Sequence, residues 1–110
     1  MLTGIYSVAF ESNRQAFGTG VAVFTEDGKV GGGDDNYLYQ GALNVVGETA
    51  SGRVRVAHYH GQRSSIFPGI DQYNLNLSGN ISGTDITLDG VMVEHAGMRV
   101  ALKCKKISDL

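Results

Sequence analysis

The chain has 110 residues, with 9 Lys and Arg against 11 Asp and Glu, a formal net charge of -2 and a pI near 5.8. That length holds one domain (1–110) with a single modest core, and the charge balance argues against direct nucleic-acid binding, which needs clustered Lys and Arg. The 16 glycines and the lone Pro68 suit a tightly turning β structure rather than a disordered or helical chain.

In chain order, "MLTGIYSVAF" lacks a basic leader, a sustained apolar stretch and a cleavage signal, so the expected location is the cytoplasm. No apolar run reaches the ~20 residues of a membrane-spanning helix, and no membrane span is expected. Strands are predicted over 3–10, 17–24, 29–33, 36–44, 51–59, 72–82, 85–93 and 98–106. The evidence is a residue period of two, the mark of half-buried strands. In "YNLNLSGNI", Tyr73, Leu75, Leu77 and Ile81 share one face and Asn74, Asn76, Ser78 and Asn80 the other. "DITLDGVM" turns Ile86, Leu88 and Met92 inward, and "MRVALKCKK" does the same with Met98, Val100, Leu102 and Cys104. "RVRVAHYH" sets Val54, Val56, His58 and His60 against Arg53, Arg55 and Tyr59. Glu26-Asp27-Gly28 and Gly83-Thr84-Asp85 supply hairpin turns, because such residues accept the positive φ that tight turns need. The 61–71 segment has room for at most one short helix, a single turn around "SSIFPGI".

Short antiparallel strands in sequence order leave two unpaired sheet edges, and closing the sheet removes them. The expected fold is therefore all-β, an eight-stranded antiparallel up-and-down β-barrel. A barrel of that size is just wide enough to be filled by side chains or to hold one small ligand. In the second strand Val21 and Val23 alternate with Gly20, Ala22 and Phe24, so both faces are apolar. The outer face then needs a cover, which predicts a homodimer.

The glycine-rich "VGGGDDNYLYQGAL" (30–43) is not a phosphate-binding loop, since no Lys-Ser/Thr follows and the next residues are strand-like. Adjacent Asp34 and Asp35 do not make a calcium loop, whose carboxylates alternate. The stretch reads as a sharp corner, with Asp34, Asp35 and Asn36 making the turn. His58-x-His60 resembles part of a metal site, but zinc needs three or four assembled ligands and the sequence does not assemble them with His95. Cys104 continues an apolar face and reads as a structural thiol. Ser64 and Ser65 have no nucleophile elbow around them. The expectation is a non-enzymatic protein without metal or cofactor.

"GIYSVAFESN" (4–13), Gly18, Gly20 and "GGGDDNYLYQGAL" (31–43) together resemble the GrlR-like family, negative regulators of type III secretion. "HYH" (58–60) and "QYNLNL" (72–77) extend the likeness. The resemblance implies a small lipocalin-like barrel that dimerises and binds a regulatory protein, in the best-known cases a transcriptional activator held off its DNA. It further implies contact through a short acidic run after the Tyr-Gln-Gly strand. Here "LNVVGETASG" (43–52) carries Glu48 alone. The candidate partner-binding loop is 44–52, with Asn44, Val45, Val46 and Glu48 as its contact residues.

The alternative is a barrel that carries a lipid or other small apolar ligand inside. Tyr6, Phe10, Tyr37, Tyr73 and Met98 are the candidate pocket residues. If such large side chains fill the interior, the regulator is favoured; an empty apolar cavity favours the carrier.

Overall fold

The computed structural model describes residues 2–110. Its strands are β1 (Gly4–Ser12), β2 (Phe17–Phe24), β3 (Lys29–Gly33), β4 (Tyr37–Val46), β5 (Thr49–His58), β6 (Gln72–Ser82), β7 (Asp85–Met92) and β8 (Arg99–Ser108). Each pairs antiparallel with the next, and β8 returns to β1, closing an up-and-down barrel. There is no helix among the described residues. Closure gives every strand two neighbours and so removes the two free edge strands of an open sheet.

The period-two pattern determines which side chains enter the barrel. Tyr6, Val8, Leu75, Leu77, Leu88 and Val100 are buried in the core, with Phe10 and Leu102 half-buried against it. Ile86 and Met92 on β7 are also buried, each 1% exposed. Their outward neighbours Asp85, Thr87 and Asp89 lie in solvent.

Because the strands alternate in direction, the connections 13–16, 34–36, 59–71 and 93–98 gather at one end of the barrel. The connections 25–28, 47–48 and 83–84 lie at the other. The turn at 25–28 forms as the Asp-Gly pair suggests: Gly28 adopts φ 86° and its N–H donates to the Thr25 carbonyl at 3.1 Å.

One expectation needs correction. The segment 44–52 is not an open loop. Asn44, Val45 and Val46 belong to β4 and pair with Ser51, Ala50 and Thr49 of β5. Only Gly47 and Glu48 make the turn, because Gly47 takes φ 61°, the left-handed conformation that two-residue hairpins require. Thr49 Oγ1 donates to the Val46 carbonyl at 2.8 Å and tightens it.

The 61–71 segment, with room for at most one short helix, forms none. Phe67 precedes Pro68, which disfavours helical backbone there, and side chains hold the segment in another shape. Ser65 Oγ accepts from the Phe67 N–H at 3.1 Å, and the buried Ser12 hydroxyl donates to the Ile66 carbonyl at 2.7 Å. Phe67, 0% exposed, stands edge-on to Tyr73 with ring centroids 5.1 Å apart. The 59–71 connection thus caps its end of the barrel with an aromatic plug.

Candidate functional site: a cavity beneath a glycine seam

β3 is the shortest strand, and β2 meets it only from Val21 to Phe24, against Val30 to Gly33. Glycine makes this close pairing feasible. Gly32 has φ 149°, and a Cβ there would lie 2.0 Å from the Val21 carbonyl oxygen. Beyond Gly33 the chain turns on Asp34, whose Oδ1 accepts from the N–H groups of Asn36 (2.9 Å) and Tyr37 (2.8 Å). This is a side chain imitating a backbone turn, and it confirms the corner expected of the Gly-Gly-Gly-Asp-Asp run.

The same carboxylate reaches back to the sheet. Asp34 Oδ2 accepts from the Tyr39 hydroxyl at 2.6 Å, while the Asp34 carbonyl accepts from Tyr59 at 2.7 Å. Tyr39 lies close over Gly20, where a Cβ would come within 2.5 Å of its hydroxyl. Its ring meets Phe10 edge-on at 6.3 Å. The Tyr37 hydroxyl donates to Asp71 Oδ1, and Asp71 also pairs with Arg63 at 3.2 Å.

Behind this corner the barrel holds a cavity of about 720 Å³, partly open to solvent, within the ~300–1,000 Å³ range of small-molecule sites. Its deep wall is aliphatic and aromatic, including Phe24, Val30, Val54, Leu77, Leu88 and Val100. Its polar lining groups come from Asp34–Tyr37, Tyr39, Ser64, Ser65 and Tyr73, at the capped end. Among the candidate pocket residues, Phe10, Tyr37 and Tyr73 line the cavity. Tyr6 and Met98 do not. Tyr6 is buried but packs on Phe24 with centroids 4.8 Å apart, towards the opposite end. Met98 precedes β8 in the 93–98 connection and packs half-buried against the core. Tyr39 is the lining residue that the expected set lacked, although it shares a strand face with Tyr37.

The phenols and the thiol facing this space stay protonated at neutral pH. Burial, reinforced by the Asp71 hydrogen bond, pushes Tyr37 up to about 12. Burial, then the bond to Asp34, raises Tyr39 further, and burial also raises Tyr73. Desolvation pushes the Cys104 thiol up to about 11, so it is a poor nucleophile near pH 7. Asp71 moves the other way, held low first by the Tyr37 hydroxyl and then by Arg63.

The His58-x-His60 pair separates. His58 is half-buried, its ring edge-on to Tyr37 at 5.4 Å and its Nε2 2.9 Å from the Gly61 carbonyl. His60 lies past the end of β5, exposed rather than inward. No three His, Cys, Asp or Glu residues come together as metal ligands among the described residues. The expected contact residues Asn44, Val45, Val46 and Glu48 are all exposed, at the barrel end opposite the polar cavity groups. No helix among the described residues is long and apolar enough to cross a membrane.

No protein-family model matches the chain, and no curated protein matches it significantly.

Proposed function

We propose that the protein is a non-enzymatic regulator that binds a protein partner in the cytoplasm, of the kind that its resemblance to the GrlR-like negative regulators of type III secretion implies. One observation carries the reading. The residues of the resemblance are those that build the glycine seam and its Asp34 corner, with Tyr37 and Tyr39 locked onto it. The raised tyrosines and thiol also support a non-catalytic role, since acid–base and nucleophilic catalysis need groups that exchange protons near the working pH.

The partner is a transcriptional activator, met by the β4–β5 hairpin tip, where Val46 is 68% exposed beside Val45 and Glu48. A homodimer forms across the β1–β2 exterior, supported by Phe17 at 73% and Val21 at 41% exposure. The test is capture from the native cytoplasm followed by a DNA gel-shift of the captured activator. Release of the activator from its DNA by added barrel is the expected result. Capture that recovers no DNA-binding protein overturns the reading.

The cavity favours a second reading, a barrel that holds a lipid or other small apolar ligand. Its volume and aliphatic wall are those of a ligand site rather than of a filled core. The two readings are compatible, because the hairpin tip and the polar cavity groups lie at opposite ends.

A further inference from the structure

The cavity is polar at one end only, and its polar end has a sign. The charged groups among the described lining residues are Asp34 and Asp35; no Lys, Arg or His is among them. Arg63, on the capping connection, is not in the lining and is bound to Asp71. Lipid-carrying barrels that take free fatty acids need a cation for the carboxylate, because a buried, unpaired anion is expensive. This barrel offers none. It offers hydroxyls instead: those of Tyr37, Tyr39 and Ser64 donate to Asp71, Asp34 and Asn36 and can still accept, and Tyr73 and Ser65 join them.

The Asp34 carboxylate is already satisfied by two backbone N–H groups and the Tyr39 hydroxyl. Asp35 is exposed, where water and salt screen it. Neither is placed to compensate a desolvated ammonium.

Resting on the cavity reading above, we infer that the barrel takes an uncharged single-chain amphiphile. Its hydroxyl or ester head sits among the tyrosine and serine hydroxyls, and its chain runs down the aliphatic wall towards Leu77 and Leu88. The head exchanges hydrogen bonds with neutral groups, and the chain supplies most of the affinity through burial.

The chain has no tryptophan, so binding is read by displacement of the neutral fluorophore N-phenylnaphthylamine, with dodecanol, dodecanoate and dodecylammonium as competitors below their aggregation limits. Dodecanol should bind tightest, with dodecanoate at least about tenfold weaker and dodecylammonium between them. Val54→Phe and Val30→Phe, each projecting into the cavity, should abolish fluorophore binding while the circular dichroism stays native. Either variant serves if the other fails to fold. Asp35→Lys, on the exposed corner, should raise the affinity for dodecanoate relative to dodecanol several-fold. Dodecanoate as tight as dodecanol, or dodecylammonium tightest of the three, overturns the headgroup inference while leaving an apolar cavity site. Binding of none of them, or binding unchanged in both Phe variants, overturns the cavity reading itself.

Discussion

The β2–β3 seam and the β5–β6 seam close the same barrel by different means. β5 and β6 pair without interruption from Thr49–Asn80 to Ala57–Gln72. Inside they stack Val54 on Leu75 and Val56 on Tyr73, and outside they present Arg53, Arg55, Asn74 and Asn76. Arg53 Nε donates across the seam to Asn76 Oδ1 at 3.1 Å. β2 and β3 share only a short ladder, with Gly31, Gly32 and Gly33 on one side and an outer face of Thr19, Val21 and Val23. The side-chain-rich seam supplies cohesion. The glycine seam supplies space, and the cavity's polar groups gather beside it.

The largest expected effect lies in the cohesive seam. Leu75 is 4% exposed, so Leu75→Asp buries a carboxylate without a partner and should cost on the order of 3 kcal/mol or more. Asn76→Asp, one residue along and outward, should change stability by less than about 0.5 kcal/mol. Thermal melts of the two variants measure the contrast. The reverse ranking would place the β6 register one residue out, since a single slip turns every side chain to the other face.

The glycine seam should break for a different reason. Gly32→Ala forces a Cβ against the Val21 carbonyl in a backbone conformation that disfavours side chains, and should cost about 2 kcal/mol. A Cβ at Gly31 meets nothing within 4 Å, so Gly31→Ala should be nearly neutral. Equal melting temperatures for the two would show that this seam is looser than its pairing implies.

Alkaline pH separates the cavity wall from the rest. Burial makes the folded protein hold the Tyr37 proton to about 12, against 10.0 for the ordinary phenol, and Tyr39 and Tyr73 are shifted in the same direction. A group whose folded value is raised contributes fully below its unfolded value. Stability should therefore stay level up to about pH 10 and fall as pH climbs towards 12. Tyrosinate absorbance should show these phenols ionising together with unfolding. If all five tyrosines titrate freely near 10 while circular dichroism stays native, the cavity is open to water.

Much of this was legible in the sequence because alternation reports the face of every strand residue, and the Asp-Gly and Gly-Thr turns punctuate it. Alternation does not report height along the barrel axis. Tyr6 and Tyr37 both point inward, yet Tyr6 sits towards the opposite end on Phe24 and only Tyr37 reaches the cavity. Nor does it show whether the interior is full, which depends on contacts such as Phe10 over Gly18 and Tyr39 over Gly20. The β4–β5 turn was missed because Val45-Val46-Gly47-Glu48 lacks the Asx-Gly signal. The acceptable φ comes from the first turn residue, with apolar residues running up to it.

That hairpin tip carries the smallest expected effect on stability and the most direct bearing on function. Val46 and Glu48 face solvent, and Val45 is 39% exposed. Replacing them together as Val45→Thr, Val46→Thr and Glu48→Gln keeps the β-branched shape that strands favour. The melting temperature should move by only a few degrees. Capture of the partner should nonetheless weaken, because apolar side chains at the centre of a contact carry more of its energy than its rim. With Glu48 the tip's one acid, capture by the native protein should depend only shallowly on salt, unlike a contact made by a run of carboxylates. Undiminished capture by the triple variant, or a steep loss of native capture with salt, would move the interface off this hairpin and onto the 59–71 connection at the opposite end.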